Sequence, residues 1–91
     1  GDLEKERKLL HEAVAASARA HAPGHRFRIE TQRRLEKALT RQAEMAIKNK
    51  DFKTASQRIE ELKSFIESVA QYKVDPKVIE NLKAHLPVPP T

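Results

Sequence analysis

Cysteine and tryptophan are absent from this 91-residue sequence, which also contains only two glycines and four aromatic residues. Without cysteine there is no disulfide framework, thiolate zinc site or cysteine nucleophile, so we expect an intracellular protein, cytoplasmic or nuclear. No apolar run approaches the roughly 18 residues that cross a bilayer, so we expect no membrane partner. The length indicates one small domain, without the layers that enclose a deep enzymatic cleft.

The few glycines and prolines lie at the boundaries between helical patterns. Ala22-Pro23-Gly24 interrupts the first pattern, Asp75-Pro76 is typical of a helix start, and the prolines from position 87 onward exclude helix at the end. We predict one domain over residues 1–86 and an extended Pro-rich tail or linker over 87–91. The sequence begins at Gly1 and its only methionine is Met45, so we expect one domain of a larger protein.

Apolar residues recur at helical spacing in four segments, at about 2–20, 27–49, 52–72 and 76–85. The second and third are separated only by Asn49-Lys50-Asp51, where Asn49 tolerates a left-handed conformation and Asp51 can cap the next helix. So short a connection predicts an antiparallel hairpin. The predicted fold class is therefore all-α, an antiparallel three-helix bundle with a short fourth C-terminal helix.

The stretch 43–62 resembles the helical hairpin of UVR motifs, which pair an Ala-rich helix with Phe-x-x-Ala at the start of the next, here Phe52 to Ala55. It is equally similar to half of a tetratricopeptide repeat. Ile59 follows Arg58 where UVR motifs have Arg-Asp, and no second copy follows at the roughly 34-residue repeat period, so we assign neither family. The UVR resemblance implies docking onto another protein.

The positive charge is concentrated in one segment. Residues 25–50 hold eight basic and three acidic side chains, which accounts for the whole net charge of +5. On a helical projection most of these cations lie opposite the apolar arc that contains Leu35 and Leu39. The predicted binding residues are Arg26, Arg28, Arg33, Arg34, Lys37, Arg41 and Lys48, with His25 and Phe27 as further partner contacts.

Two interpretations of this basic face remain open. It can be an ordinary solvated face, since Glu30 and Glu44 fall in the same arc and can pair with neighbouring cations. Alternatively it is a docking surface for an acidic partner, because the planar guanidinium of Arg suits carboxylates and phosphates. The preferred function is a non-catalytic interaction domain, an adaptor or accessory part of a larger protein, that docks an acidic protein surface.

Two other functions stay as alternatives. Nucleic acid could bind the same cations through phosphates, without base reading, because no aromatic residue lies on the basic arc to stack on bases. The chain could instead be a structural oligomerisation domain, with Leu3, Leu9 and Leu10 pairing with another chain or another domain. Phe27 lies outside the apolar arc of its own helix, so it either packs back on the first helix or is exposed beside the arginines.

The histidines, glutamates and serines are not arranged as a metal site or a catalytic site requires. The Pro-Gly between His21 and His25 removes the one-face geometry that a helical metal-ligand pair requires. Glu60 and Glu61 are adjacent on a helix and therefore point about 100° apart. The serines lack a strained strand-to-helix elbow. We expect no enzymatic activity, no catalytic residues, no metal and no cofactor.

Overall fold

The computed structural model describes residues 2–70 and 72–87, and within them the chain forms four α-helices and no strand. The helices are α1 (Asp2–Ala20), α2 (Arg26–Lys48), α3 (Phe52–Ser68) and α4 (Lys77–Ala84). The central helix α2 packs against both α1 and α3, and α4 packs against α3. This confirms the all-α prediction of three helices with a short fourth. Most of the predicted Pro-rich tail, residues 88–91, lies outside the described residues.

A tight turn joins α1 to α2. The amide of His25 donates to the carbonyl of Ala22 at 3.0 Å, and Gly24 adopts a φ of +82°. Proline at the second position and a positive φ at the third are the features of a type II turn, which favours glycine there. The break predicted at Ala22-Pro23-Gly24 is therefore confirmed, and it fixes the direction in which α2 leaves.

A Schellman arrangement ends α2 and turns the chain into α3. The amide of Lys50 donates to the Ile47 carbonyl at 3.0 Å, and the amide of Asp51 donates to the Ala46 carbonyl at 2.8 Å. The left-handed residue is Lys50, with a φ of 59°, whereas Asn49 keeps an ordinary φ of −86°. The sequence favoured Asn49 for this role, but the position that the Schellman pattern requires falls one residue later.

Asp51 then caps α3 as predicted. Its side chain accepts a hydrogen bond from the amide of Thr54 at 3.2 Å. Hydrogen bonds from the side chain and backbone of Thr54 hold the pKa of Asp51 below its ordinary value of 3.8. The cap and the Schellman turn together define the antiparallel hairpin of α2 and α3.

Replacing Lys50 with Gly should stabilise the domain by about 0.5 to 1 kcal/mol, because glycine adopts a positive φ without the steric cost that a β-carbon brings. Urea unfolding measures this difference. The matched control is Asn49→Gly, which should give no gain because φ is already negative there. An equal gain for both substitutions would contradict a left-handed residue at position 50.

The helix α3 ends four residues before the predicted Tyr72. The amides of Val69 and Ala70 both donate to the carbonyl of Phe65, at 2.9 and 3.0 Å, which closes the helix. The apolar spacing continues to Tyr72 in the sequence, but the chain has left the helix by then. The prediction was wrong at this end because periodicity does not detect where hydrogen bonding stops.

The core lies between α2 and its two neighbours. Its most deeply buried large apolar side chains, all at 1% exposure or less, are Leu35, Leu39, Ile59 and Leu62. Two glutamines of α2 are also buried, and Gln42 donates from Nε2 to the carbonyl of Leu3 at 2.9 Å. A buried amide needs such a partner, so Gln42 ties the start of α1 to α2.

The leucines proposed for oligomerisation do not share one face of α1. Leu10 is half-buried against the core, whereas Leu3 and Leu9 are 41% and 59% exposed. Leu3 and Leu9 are six residues apart, about 240° around the helix, so they lie on different sides. Self-association stays a prediction, and one flat contact through α1 would not bury all three leucines.

Candidate interaction surface

The solvent-facing side of α2 carries a row of cations. Helical geometry places its members within about 100° of arc over a length of about 33 Å, and each of them is exposed. We call this row the basic ridge. It consists of Arg26, Arg33, Arg34, Lys37, Arg41 and Lys48.

Part of the basic ridge is paired with carboxylates of this chain. The Nη2 of Arg34 lies 3.0 Å from Oε1 of Glu30 one turn away, and Arg41 pairs with Glu6 of α1. The arginine side chains of these pairs remain 69% and 58% exposed. Such pairs contribute about 0.2 to 1 kcal/mol each, so an anionic partner can exchange with them.

The other cations of the basic ridge are freer. Within residues 2–70 and 72–87, Arg26, Lys37 and Lys48 make no ion pair or hydrogen bond through their side chains. These three lie near the start, middle and end of α2. Positive charge is therefore available along the whole length of the helix.

Arg33 is held in place by a tyrosine. Its guanidinium carbon lies 5.1 Å from the ring centroid of Tyr72, and the Tyr72 hydroxyl donates to Oε1 of Glu36 at 2.7 Å. Burial, followed by the hydrogen bond to Glu36, raises the pKa of Tyr72 well above its ordinary value. The tyrosine stays neutral, and the segment after α3 thereby supports the middle of the basic ridge.

An aromatic group lies at the N-terminal end of α2. The rings of His21 and His25 stack at 4.3 Å between centroids, and Phe27 lies 5.7 and 5.6 Å from them. We call these three residues the aromatic cluster. His25 also caps α2, because its Nδ1 accepts a hydrogen bond from the amide of Phe27 at 3.2 Å. Phe27 is 56% exposed, which decides between the two placements that the sequence left open.

Arg28 lies apart from the basic ridge. It is half-buried, and its Nη1 donates to the carbonyl of His21 at 3.2 Å. Helical geometry places it about 180° from Lys37. The structure thus brings six of the seven predicted cations together, places His25 and Phe27 at one end, and gives Arg28 a position that ties the loop to α2.

A second charged group joins α1 to α3, and sequence reasoning missed it. Glu61 accepts hydrogen bonds from Arg7 at 3.1 Å and from Arg58, and its Oε2 lies 2.5 Å from Nε2 of His11. Glu60, its neighbour, points elsewhere and lies 4.0 Å from Nζ of Lys83. Arg7 and Glu61 are 54 positions apart, so no local spacing reveals the pair. This group is a cross-link between helices.

The part of the chain that the structure describes contains no group of three or more His, Asp or Glu side chains placed to hold a metal ion. No helix within the same residues has the length and apolarity needed to cross a bilayer. A groove of about 490 Å³ lies between the start of α1 and the α2–α3 turn and is bordered by Leu3, Met45 and Arg58.

No protein-family model matches the sequence. Comparison with curated proteins and with solved structures likewise gives no match. The basic ridge and the aromatic cluster are therefore interpreted from their own geometry and charge.

Proposed function

We propose that this chain is a non-catalytic interaction domain that docks an acidic surface of another protein through the basic ridge. The observation that carries the proposal is the exposure of all six cations along one face of α2, three of them without any partner among the described residues. Such a field steers an acidic partner and sets its orientation. The absence of cysteine fits action inside the cell, as an adaptor or accessory part of a larger protein.

The order of charges along α2 favours a protein over a nucleic acid. Glu30 and Glu44 lie within the same arc as the cations, so negative and positive side chains alternate near both ends of this face. A nucleic-acid duplex presents uniform negative charge, about one per 1.7 Å of its axis, and these two carboxylates would oppose it. A protein helix can place basic residues opposite Glu30 and Glu44 and acidic ones opposite the centre.

The second candidate is a sequence-independent nucleic-acid binder, and one observation favours it. The sequence places no aromatic residue on the basic arc, but the aromatic cluster lies at the end of the basic ridge with Phe27 exposed. Proteins that bind single-stranded nucleic acids stack bases on exposed aromatic rings beside cations.

Titration of a Glu-rich helical peptide and of single- and double-stranded DNA, from about 50 to about 200 mM salt, separates the two candidate functions.

The double substitution Lys37→Glu and Lys48→Glu should weaken binding of the Glu-rich peptide about tenfold or more, or about 1.4 kcal/mol. Both residues are unpaired within the described part of the chain, so the change acts on the surface charge. Fluorescence anisotropy with a labelled peptide measures the dissociation constant.

The matched control is the double substitution Lys8→Glu and Lys63→Glu, which changes the net charge equally on exposed positions of α1 and α3. We expect this control to weaken binding only slightly, through the overall field. Equal losses in the two variants would show that net charge alone governs binding. Retention of full affinity by the ridge variant would rule out the basic ridge.

A further inference from the structure

We infer that the acidic partner carries an aromatic side chain that packs on the aromatic cluster, so that docking has a ring contact at the N-terminal end of the basic ridge. This inference rests on the proposed function and specifies its partner, an acidic segment with Trp, Phe or Tyr near one end. Among the phenylalanines and tyrosine of the described residues, only Phe27 is exposed, at 56%.

Hydrogen bonds hold the His25 ring and the backbone around the aromatic cluster. The turn at Gly24 positions His25, whose Nδ1 accepts from the Phe27 amide at 3.2 Å. The Phe27 carbonyl accepts from Oγ1 of Thr31 at 2.7 Å. Arg28 adds a hydrogen bond to the carbonyl of His21 at 3.2 Å. The His25 ring and this backbone therefore lose little conformational freedom when a partner binds.

The position of Phe27 relative to the cations matches an anchor. Phe27 and Arg34 are seven residues apart, which places them within about 20° of each other on α2. Arg26 precedes Phe27 and has no side-chain partner within the described residues. Interfaces concentrate affinity in a few aromatic and arginine residues of this kind, surrounded by weaker polar contacts. The cations supply charge complementarity to the acidic segment, and the ring surface supplies a fixed point for its register.

A ring fits this surface better than an aliphatic side chain. Two of its three rings belong to histidines, which stack through their faces and carry polar nitrogens only at their edges. A partner ring that packs on the exposed Phe27 gains affinity through offset or edge-to-face packing beyond the area it buries. An aliphatic chain gains only from the buried area. The inference therefore commits to an aromatic occupant.

The test compares Glu-rich helical peptides that differ at one terminal position, which is Trp, Leu or Ala, with the substitution made at either end. With the wild-type chain, the Trp peptide of one orientation should bind about fivefold to tenfold more tightly than the Ala peptide. The Leu peptide should gain clearly less. Phe27→Ala should abolish the preference, so that the variant binds the Trp and Ala peptides with equal affinity.

The control variant Leu9→Ala removes an equally exposed side chain from α1, at 59% exposure, and should keep the full Trp preference. Equal binding of Trp and Ala peptides by the wild type would overturn the aromatic anchor and leave the proposed function standing. Equal affinity for Trp and Leu, or an equal loss for all peptides in Phe27→Ala, would also overturn it. If no peptide binds and single-stranded DNA binds with an affinity that depends on Phe27, both the aromatic anchor and the proposed function would be overturned. The aromatic cluster would then be a stacking site for nucleobases.

Discussion

Replacing Leu39 with Ala should lower the free energy of unfolding by about 2 to 5 kcal/mol, because it opens a cavity at the centre of the core. Leu39 lies on the central helix α2 with no exposed surface, in the same cluster as Ile59 and Leu62 of α3. Ala43 and Ala55 are also fully buried and have no bulk with which to fill the space. The cavity left by the substitution would therefore persist.

A domain of this size has a net stability of about 5 to 15 kcal/mol, so the loss of one such side chain removes a large fraction of it. Urea unfolding followed by circular dichroism measures the change. The control is Leu9→Ala, whose exposed side chain should contribute within about 0.5 kcal/mol. Similar losses for both leucines would contradict the burial of Leu39 and the exposure of Leu9.

The substitution Glu61→Gln should destabilise the chain by about 2 kcal/mol. The Glu61 carboxylate, 20% exposed, is the shared acceptor of Arg7 and Arg58, whose side chains are 23% and 11% exposed. Removal of one member from a fully buried group costs about 3 to 5 kcal/mol, and the partial exposure of these three side chains reduces that figure. The amide keeps the shape of the side chain, so the loss reports the charge.

The neighbouring substitution Glu60→Gln is the matched control. Glu60 is 67% exposed and lies 4.0 Å from Lys83, so its loss should lie within about 0.5 kcal/mol. Thermal unfolding of the two variants at the same pH and salt gives the comparison. Equal stabilities would show that Glu61 does not hold α1 to α3.

The sequence predicted the helices well because their determinants are local. The bounds of α1 agree with the prediction, α2 is displaced by one residue, and the Asp51 cap is present. The end of α3 was wrong because Val69 and Tyr72 continue the apolar spacing although the chain has already turned. Tyr72 instead reaches Glu36, a contact between residues 36 positions apart. Periodicity alone could not indicate that contact.

The site was predictable in part, and the remainder depends on tertiary contacts. Helical geometry was enough to align the cations of the basic ridge, but the pairing of Arg41 with Glu6 depends on where α1 packs. The aromatic cluster depends on the turn that brings His21 back over His25. The sequence left the position of Phe27 open. Phe27 lies outside the apolar arc of α2, and helical spacing does not indicate which side chains of the preceding loop contact it.

The most direct test of the central claim, that the basic ridge docks an acidic protein partner, is chemical-shift mapping of the isotope-labelled chain during titration with the Glu-rich peptide that ends in Trp. The account predicts shifts along the exposed face of α2 from Arg26 to Lys48 and at Phe27, with Leu9 of α1 unaffected. Shifts centred on α4 or on Leu9, or no shifts at low salt, would contradict it.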